Sequence, residues 1–181
     1  MQLSKTDFLQ FLHCAKSLWL LKHKPALYEH GVFSDYLQKI VTEGYEIEAY
    51  LKVHLSAQPD ADKYSYQTVF KTKEGLFAKA DCTRKNEDGT IDIYEVKSST
   101  SVQMGGKRNQ VKDATFQRIA AEGSGLKVKN IFIVHLNSQY VRDGAIDAKQ
   151  LLTFSDVTSE VDEIISDTRS EINTALLLLE S

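Results

Sequence analysis

Three residues near the middle of the chain have the types and spacing of a phosphodiester-cleaving centre. The run Gly75 to Ser98, GLFAKADCTRKNEDGTIDIYEVKS, holds Asp81 in one apolar-alternating stretch and Glu95 and Lys97 in a second. The turn sequence Asn86-Glu87-Asp88-Gly89 between them predicts a β-hairpin. Glu95 and Lys97 are two apart on a strand and therefore share a face, and pairing across the turn brings Asp81 beside them. Two carboxylates and an ammonium at one spot suit a divalent cation. The carboxylates and the backbone carbonyl of Val96 supply hard oxygen ligands for Mg²⁺, while the lysine steadies or deprotonates the attacking water. Gln117, on a following helix, is positioned to hold Lys97 or a base through its amide. Taken singly, Asp81 reads equally as a turn former, and Glu95 with Lys97 as a charge pair on an exposed strand. Together with Gln117 they favour the metal site. A Schiff-base lysine at Lys97 is the weaker option, because flanking carboxylates raise its pKa, the wrong direction for a nucleophile.

The elements that must position these residues follow from periodicity. Ser4 reads as an N-cap with Asp7 in the first turn, and Phe8, Phe11, Leu12, Ala15, Leu18 and Trp19 recur at helical spacing. One amphipathic helix is expected from residue 4 to about 23, closed by Pro25. Within it Cys14 reads as a buried packing residue, and His13 and His23 as packed or exposed side chains, not ligands. A second helix is expected over 34–55, with Tyr36, Leu37, Ile40, Val41, Tyr45, Ile47, Leu51 and Leu55 on its buried side. Gly44 suggests close approach to another element, and Glu48 lies one turn further on the same face. Glu43 and Glu46 are the alternatives on that helix. A strand over 66–70 leads into the hairpin; 98–106 is a polar, Gly-rich loop of the kind that moves and touches substrate. A helix over 109–122, a central strand over 128–136, a short strand over 150–154 and an acidic helix from Ser155 complete the order. The last helix ends in Ala175-Leu176-Leu177-Leu178-Leu179, which must dock on something. A mixed sheet with helices on both sides fits this order. It divides one domain into N-terminal helices (1–57), a catalytic sheet core (64–154) and a C-terminal helix (155–181).

At 181 residues the chain is long enough to bury a sizeable core. No apolar run approaches the roughly 20 residues of a membrane span. The N-terminus lacks a signal-peptide pattern, and two cysteines are too few for a disulfide framework, so a reducing cytoplasm is the expected compartment. The net charge of −3 argues weakly against nucleic acid, but the charge is uneven. Lys97, Lys107, Arg108, Lys112, Arg118, Lys127 and Lys129 stand against only Asp113 and Glu122, and the chain from Asp143 onward is mostly acidic. A basic face beside the hairpin would steer DNA; a solvated helix face is the equal alternative.

The spacing Gly75-x5-Asp81, Glu95-Val96-Lys97 and Phe116-Gln117 resembles the PD-(D/E)xK nuclease superfamily, specifically its RecB-like branch, which includes the CRISPR-associated exonucleases. Ser4-Lys-Thr-Asp-Phe with Cys14-Ala-Lys-Ser-Leu-Trp19, and the run from His135 to Gly144, resemble a group of bacterial RecB-like domains of unassigned role. The resemblance implies a restriction-endonuclease-like αβββαβ core and cleavage of DNA with Mg²⁺ or Mn²⁺ in repair, recombination or defence, exonucleolytic action included. By position it makes Asp81 and Glu95 metal ligands, Lys97 the catalytic lysine and Gln117 the motif-helix glutamine. Glu48 falls where many relatives carry a metal-binding histidine, which keeps an oxygen ligand but changes the metal preference. Ala121 replaces a tyrosine that often follows the glutamine by four. Only Cys14 matches the cysteines of the iron–sulfur branch, so no cluster is expected. A module that binds DNA or a protein partner without cutting, or one domain of a larger nuclease, is the alternative.

Overall fold

The hairpin forms where its turn signal places it. The computed structural model describes residues 1–29, 31, 34–106 and 109–181, the side chains at 35–37 and 40 excepted. Strands β3 (Leu76–Lys85) and β4 (Ile91–Val96) pair antiparallel across the turn. Gly89 there has φ +80°, a left-handed conformation that glycine takes without a Cβ clash. On its other flank β3 pairs antiparallel with β2 (Tyr64–Lys71). Strand β5 (Val128–Leu136) runs parallel to β4, and β6 (Leu152–Asp156) pairs antiparallel with β5. The two-residue β1 (Leu3–Ser4) lies parallel to the start of β3 on the β4 flank, so β1 and β4 meet that strand end to end. Gly75 makes this junction possible: at φ +95° its missing Cβ would lie 2.8 Å from the Met1 carbonyl oxygen.

Helices cover both faces of this mixed sheet. Helices α1 (Lys5–His13), α2 (Ala15–His23), α4 (Gln110–Gly123) and α6 (Thr158–Glu180) bury Phe8, Leu18, Phe116 and Ile172 against Ile93, Ile131 and Ile133. Helix α3 (Asp35–Ser56) covers the opposite face with Ile47, Leu51 and Leu55 against Cys82, Tyr94 and Val134; α5 (Ala148–Leu151) is a single turn before β6. The leucine-rich C-terminus docks as its composition requires, with Leu179 buried and its carbonyl oxygen 3.2 Å from His23 Nε2. His23 also stacks on Trp19, so it is a packing residue.

Several sequence expectations are corrected. The first helix is split at Cys14, whose backbone is extended and whose side chain is exposed, not buried. Phe8 and Leu18, on either side of the break, are both completely buried. Among the described side chains of α3, Val41 and Tyr45 are exposed at 45% and 68%, and burial of the apolar side begins at Ile47. Tyr36, Leu37 and Ile40 belong to side chains outside the described residues. Gly44 faces open space, so close approach is not its role. Among the described residues of the basic run, Lys127 is in no ion pair and the other cations are paired. Lys112 pairs with Glu171, Arg118 with Glu122 and Asp162, and Lys129 with Asp88, while Lys107 and Arg108 lie outside the described residues. Two of these pairs tie α4 to the acidic α6. At the surface they contribute little stability each, but they fix which way α6 lies.

A feature with no sequence signal sets up the functional end of the sheet. Tyr64, Tyr66 and Cys82 pack on the α3 side, whereas Phe70, Ala78 and Ala80 pack on the other, although all six positions are even-numbered. A regular strand would keep them on one face. The alternation changes phase between Tyr66 and Phe70 in β2 and between Ala80 and Cys82 in β3. Gln67 lies within the first interval, and at φ +55° it is the single positive-φ residue other than glycine among those described. It faces Asp81 across the ladder, between the pairs Tyr66↔Cys82 and Thr68↔Ala80. Left-handed backbone at a side-chain-bearing residue costs on the order of 1–2 kcal/mol. Gln67→Val is therefore expected to lower stability by about 2 kcal/mol in chemical denaturation and Gln67→Gly to be near neutral. Equal tolerance of valine and glycine would show that the backbone there is not left-handed.

Candidate active site

Strands β3 and β4 pair only as far as Cys82↔Tyr94. Beyond that point they fork, and the ladder position opposite Glu95 is bridged by a side chain: Val96 N–H donates to Asp81 Oδ2 at 2.7 Å. Asp81 thus stands in the cleft of the fork. Glu95 and Lys97 both turn toward α4, as their spacing requires, and Lys97 Nζ donates to Glu95 Oε1 at 2.8 Å. Helix α4 supplies two side chains one turn apart on the face toward β4. Gln117 Nε2 donates to Glu95 Oε2 at 2.5 Å, and Asp113 Oδ2 accepts from Lys97 at 2.6 Å. Gln117 therefore holds the carboxylate rather than Lys97. Helix α4 is itself fixed by the Asn109 N-cap and by Gln110, whose side chain bonds Gln103 N–H and Ser99 Oγ. That last contact joins the 98–106 connection to the helix.

Helix α1 adds a fourth contributor. Its N-terminus is closed by a reciprocal capping box between Ser4 and Asp7. Phe8 stacks on Phe116 with ring centroids 5.2 Å apart, locking α1 against α4 beside Gln117. Burial of each ring contributes roughly 2–3 kcal/mol. Lys5, the first residue of the helix, then reaches Glu95 Oε1 at 2.5 Å. From the opposite layer α3 directs Glu48 toward the same cleft, where its Oε2 accepts from Gln67 Nε2 at 2.9 Å. The left-handed Gln67 is what aims that amide across the sheet edge.

The electrostatics follow from burial and sign. Burial, then the Glu95 charge, pushes the Asp81 carboxyl up to about 8, against the Val96 hydrogen bond and Lys5, and Glu48 raises it further. Glu48 is raised by burial and by Glu95. Burial acts to raise Glu95 too, but the Lys97 and Lys5 ammoniums outweigh it and hold the carboxyl well below its usual range. Burial acts to lower Lys97, and Glu95 and Asp113 overcome it, so its pKa is raised. Lys97 thus keeps its proton at neutral pH. In this arrangement its ammonium can donate to and stabilise negative charge. Two buried acceptors, Asp113 Oδ1 and Gln117 Oε1, have no donor.

Asp81, Glu95, Lys97 and Gln117 are brought together by this fold, and Val96 takes part through its N–H. Glu48 shares their field but bonds Gln67, not any of the four. Among the described residues no three carboxylate, imidazole or thiolate groups stand at cation-ligand spacing, Lys5 and Lys97 being bonded to Glu95 where a metal would draw on it. The donor set nevertheless fits a hard divalent cation: only oxygens, Asp81 and Glu48 raised by burial and by the neighbouring Glu95 carboxylate and without an ion-pair partner among the described residues, and two buried acceptors that lack a donor. Sequence reasoning missed Asp113, Lys5 and Gln67. Asp113 was accessible from its position one turn before Gln117; Lys5 and Gln67 carried no local signal.

No protein-family model and no curated protein sequence matches this chain. Among solved structures, the alkaline exonuclease LHK-Exo from Laribacter hongkongensis superposes with a TM-score of 0.54 at 9% identity, covering 99% of this chain and 91% of that one. The crystal structure of SSO0001 gives 0.44 at 11% identity over 93% of this chain and 75% of that one. The likeness to LHK-Exo establishes a common fold: this chain has the helix-flanked mixed sheet of an alkaline exonuclease.

Proposed function

We propose that the chain is a divalent-metal-dependent deoxyribonuclease of the PD-(D/E)xK type, in the RecB-like branch that its motifs resemble. The observation that carries this reading is the forked-strand cluster itself. Asp81, Glu95 and Lys97 come from one hairpin, Glu95 is held by Gln117, and Asp81 and Glu48, both raised by burial and by the Glu95 charge, have no ion-pair partner among the described residues. The fold shared with an exonuclease of known structure supports it. Asp81, Glu95, Glu48 and the Val96 carbonyl would hold Mg²⁺ or Mn²⁺, which when bound polarises the phosphoryl group and lowers the pKa of a water. Lys97, fixed between Glu95 and Asp113, offsets charge developing on the phosphate. Gln117 keeps Glu95 turned toward the cleft. Outside Asp81 the cleft is lined by Tyr45, Glu48, Lys52, Tyr66 and Gln67, with a volume of about 240 Å³. Lys52 lies over the Tyr66 ring at 5.5 Å, a combination suited to a phosphate flanked by a base.

One observation favours the second reading, a nuclease-fold module that binds without cutting: the cations of α4 are paired with acids of the same chain. The two readings separate on metal and cleavage. Linear DNA should be degraded with Mg²⁺ or Mn²⁺, and Lys97→Gln, which keeps a donor between Glu95 and Asp113, should slow cleavage at least about 100-fold. Lys97→Ala is the poorer variant, since it strands the buried Asp113 and takes one of two ammoniums from Glu95, which lowers stability. Cutting that survives both the substitution and chelation would overturn the assignment.

The metal-free protein should show a pH signature as well. A carboxyl raised to about 8 in the fold, against 3.8 for the free side chain, binds more protons folded than unfolded across that window. Stability contributed by Asp81 is therefore lost as pH rises from about 4 to about 8. Asp81→Asn should raise the Tm of the metal-free protein at pH 8 while removing the Tm increase that Mn²⁺ gives the wild type. A lower Tm for Asp81→Asn at pH 8 would contradict the buried, uncompensated carboxylate.

A further inference from the structure

One carboxylate oxygen in the cluster carries two ammoniums. Glu95 Oε1 accepts from Lys97 at 2.8 Å and from Lys5 at 2.5 Å, while Glu95 Oε2 is held by Gln117. The two lysines differ in what else holds them. Lys97 is fixed on its other side by Asp113 at 2.6 Å, a second buried partner. For Lys5, Glu95 is the one ion-pair partner among the described residues. Its backbone is pinned by the capping box and by the β1–β3 pairing, but its side chain enters the cleft from the rim and is 23% exposed. The Lys5 charge also acts on Asp81 and Glu48. One partly exposed ammonium thus sits in the field of all three carboxylates named as metal-holding. With all four acids ionised, Glu48, Asp81, Glu95 and Asp113 face Lys5, Lys97 and, at Glu48, Lys79, so a dication in place of Lys5 neutralises the cluster better than the lysine does.

We propose that Lys5 is the resident counter-ion of this carboxylate cluster and exchanges with the divalent cation: its ammonium leaves Glu95 Oε1 when the metal takes that oxygen. This rests on the metal-dependent reading above. The exchange explains how three carboxylates stay folded together without a metal, and it makes Lys5 a competitor for the site. Removal of a competing cation must tighten metal binding, by the reciprocity of linked equilibria.

The test is calorimetric titration of Mn²⁺ into the wild type, Lys5→Met and Lys5→Arg. Lys5→Met should bind Mn²⁺ at least about fivefold more tightly, the lower end of typical site-to-site coupling. Its metal-free Tm should fall and be restored by Mn²⁺. Lys5→Arg keeps the charge and grips a carboxylate through two donors, so it should bind Mn²⁺ no more tightly than the wild type. A substitution-free readout covers the case in which Lys5→Met does not fold. In wild-type protein with ¹³C-dimethylated lysines, the Lys5 signal should move on saturation with Mg²⁺. Equal or weaker Mn²⁺ binding by Lys5→Met, or a Lys5 signal that stays in place, overturns the exchange and leaves the nuclease reading standing. A wild type that takes no metal removes both.

Discussion

The structure depends on one constraint: a carboxylate, that of Glu95, is buried in the middle of the molecule and must be compensated. A buried charge without partners costs several kcal/mol or more. Here it is matched from three elements, by Lys97 on its own strand, Gln117 on α4 and Lys5 on α1. Each partner has its own support. Asp113 braces Lys97, the Phe8–Phe116 stack sets α1 against α4, and the Ser4–Asp7 box fixes where Lys5 begins. The core on that side of the sheet can be read as the scaffold that delivers these donors to one carboxylate.

Asp81 and Glu48 stand on the other side of the balance. The fork between β3 and β4 gives Asp81 a backbone N–H but no cation of its own, and α3 brings Glu48 close enough for the charges to oppose each other. Repulsion of this kind destabilises a fold, and it persists where the site binds something positive. The strained Gln67 belongs to the same logic: an unfavourable backbone conformation at the strand position facing Asp81, with its amide on Glu48.

The legible part of the molecule was local. The hairpin followed from Asn86–Gly89 and the flanking alternation, and the shared face of Glu95 and Lys97 from strand periodicity. The β-rich run over 128–136 gave the expectation of a central strand, and β5 lies inside the sheet, between β4 and β6. What failed was whatever depends on distant partners. Helical periodicity in 4–23 hides a break at Cys14 because both half-helices are amphipathic. The apolar positions Val41 and Tyr45 match the stripe of Ile47 and Leu51, but among the described side chains of α3 it is Ile47, Leu51 and Leu55 that pack on the sheet. The basic run near α4 suggested a surface for polyanions because the acids that neutralise it lie some fifty residues later, on α6. Lys5 is ninety positions from Glu95. No pattern within one segment can reveal such a pair.

The most direct measurement is a crystal grown with Mn²⁺ and examined at the manganese absorption edge. The expected result is an anomalous peak bonded to Asp81 and Glu95 with Lys97 still between Glu95 and Asp113. Well-ordered Asp81 and Glu95 without such a peak between them at saturating Mn²⁺ would contradict it.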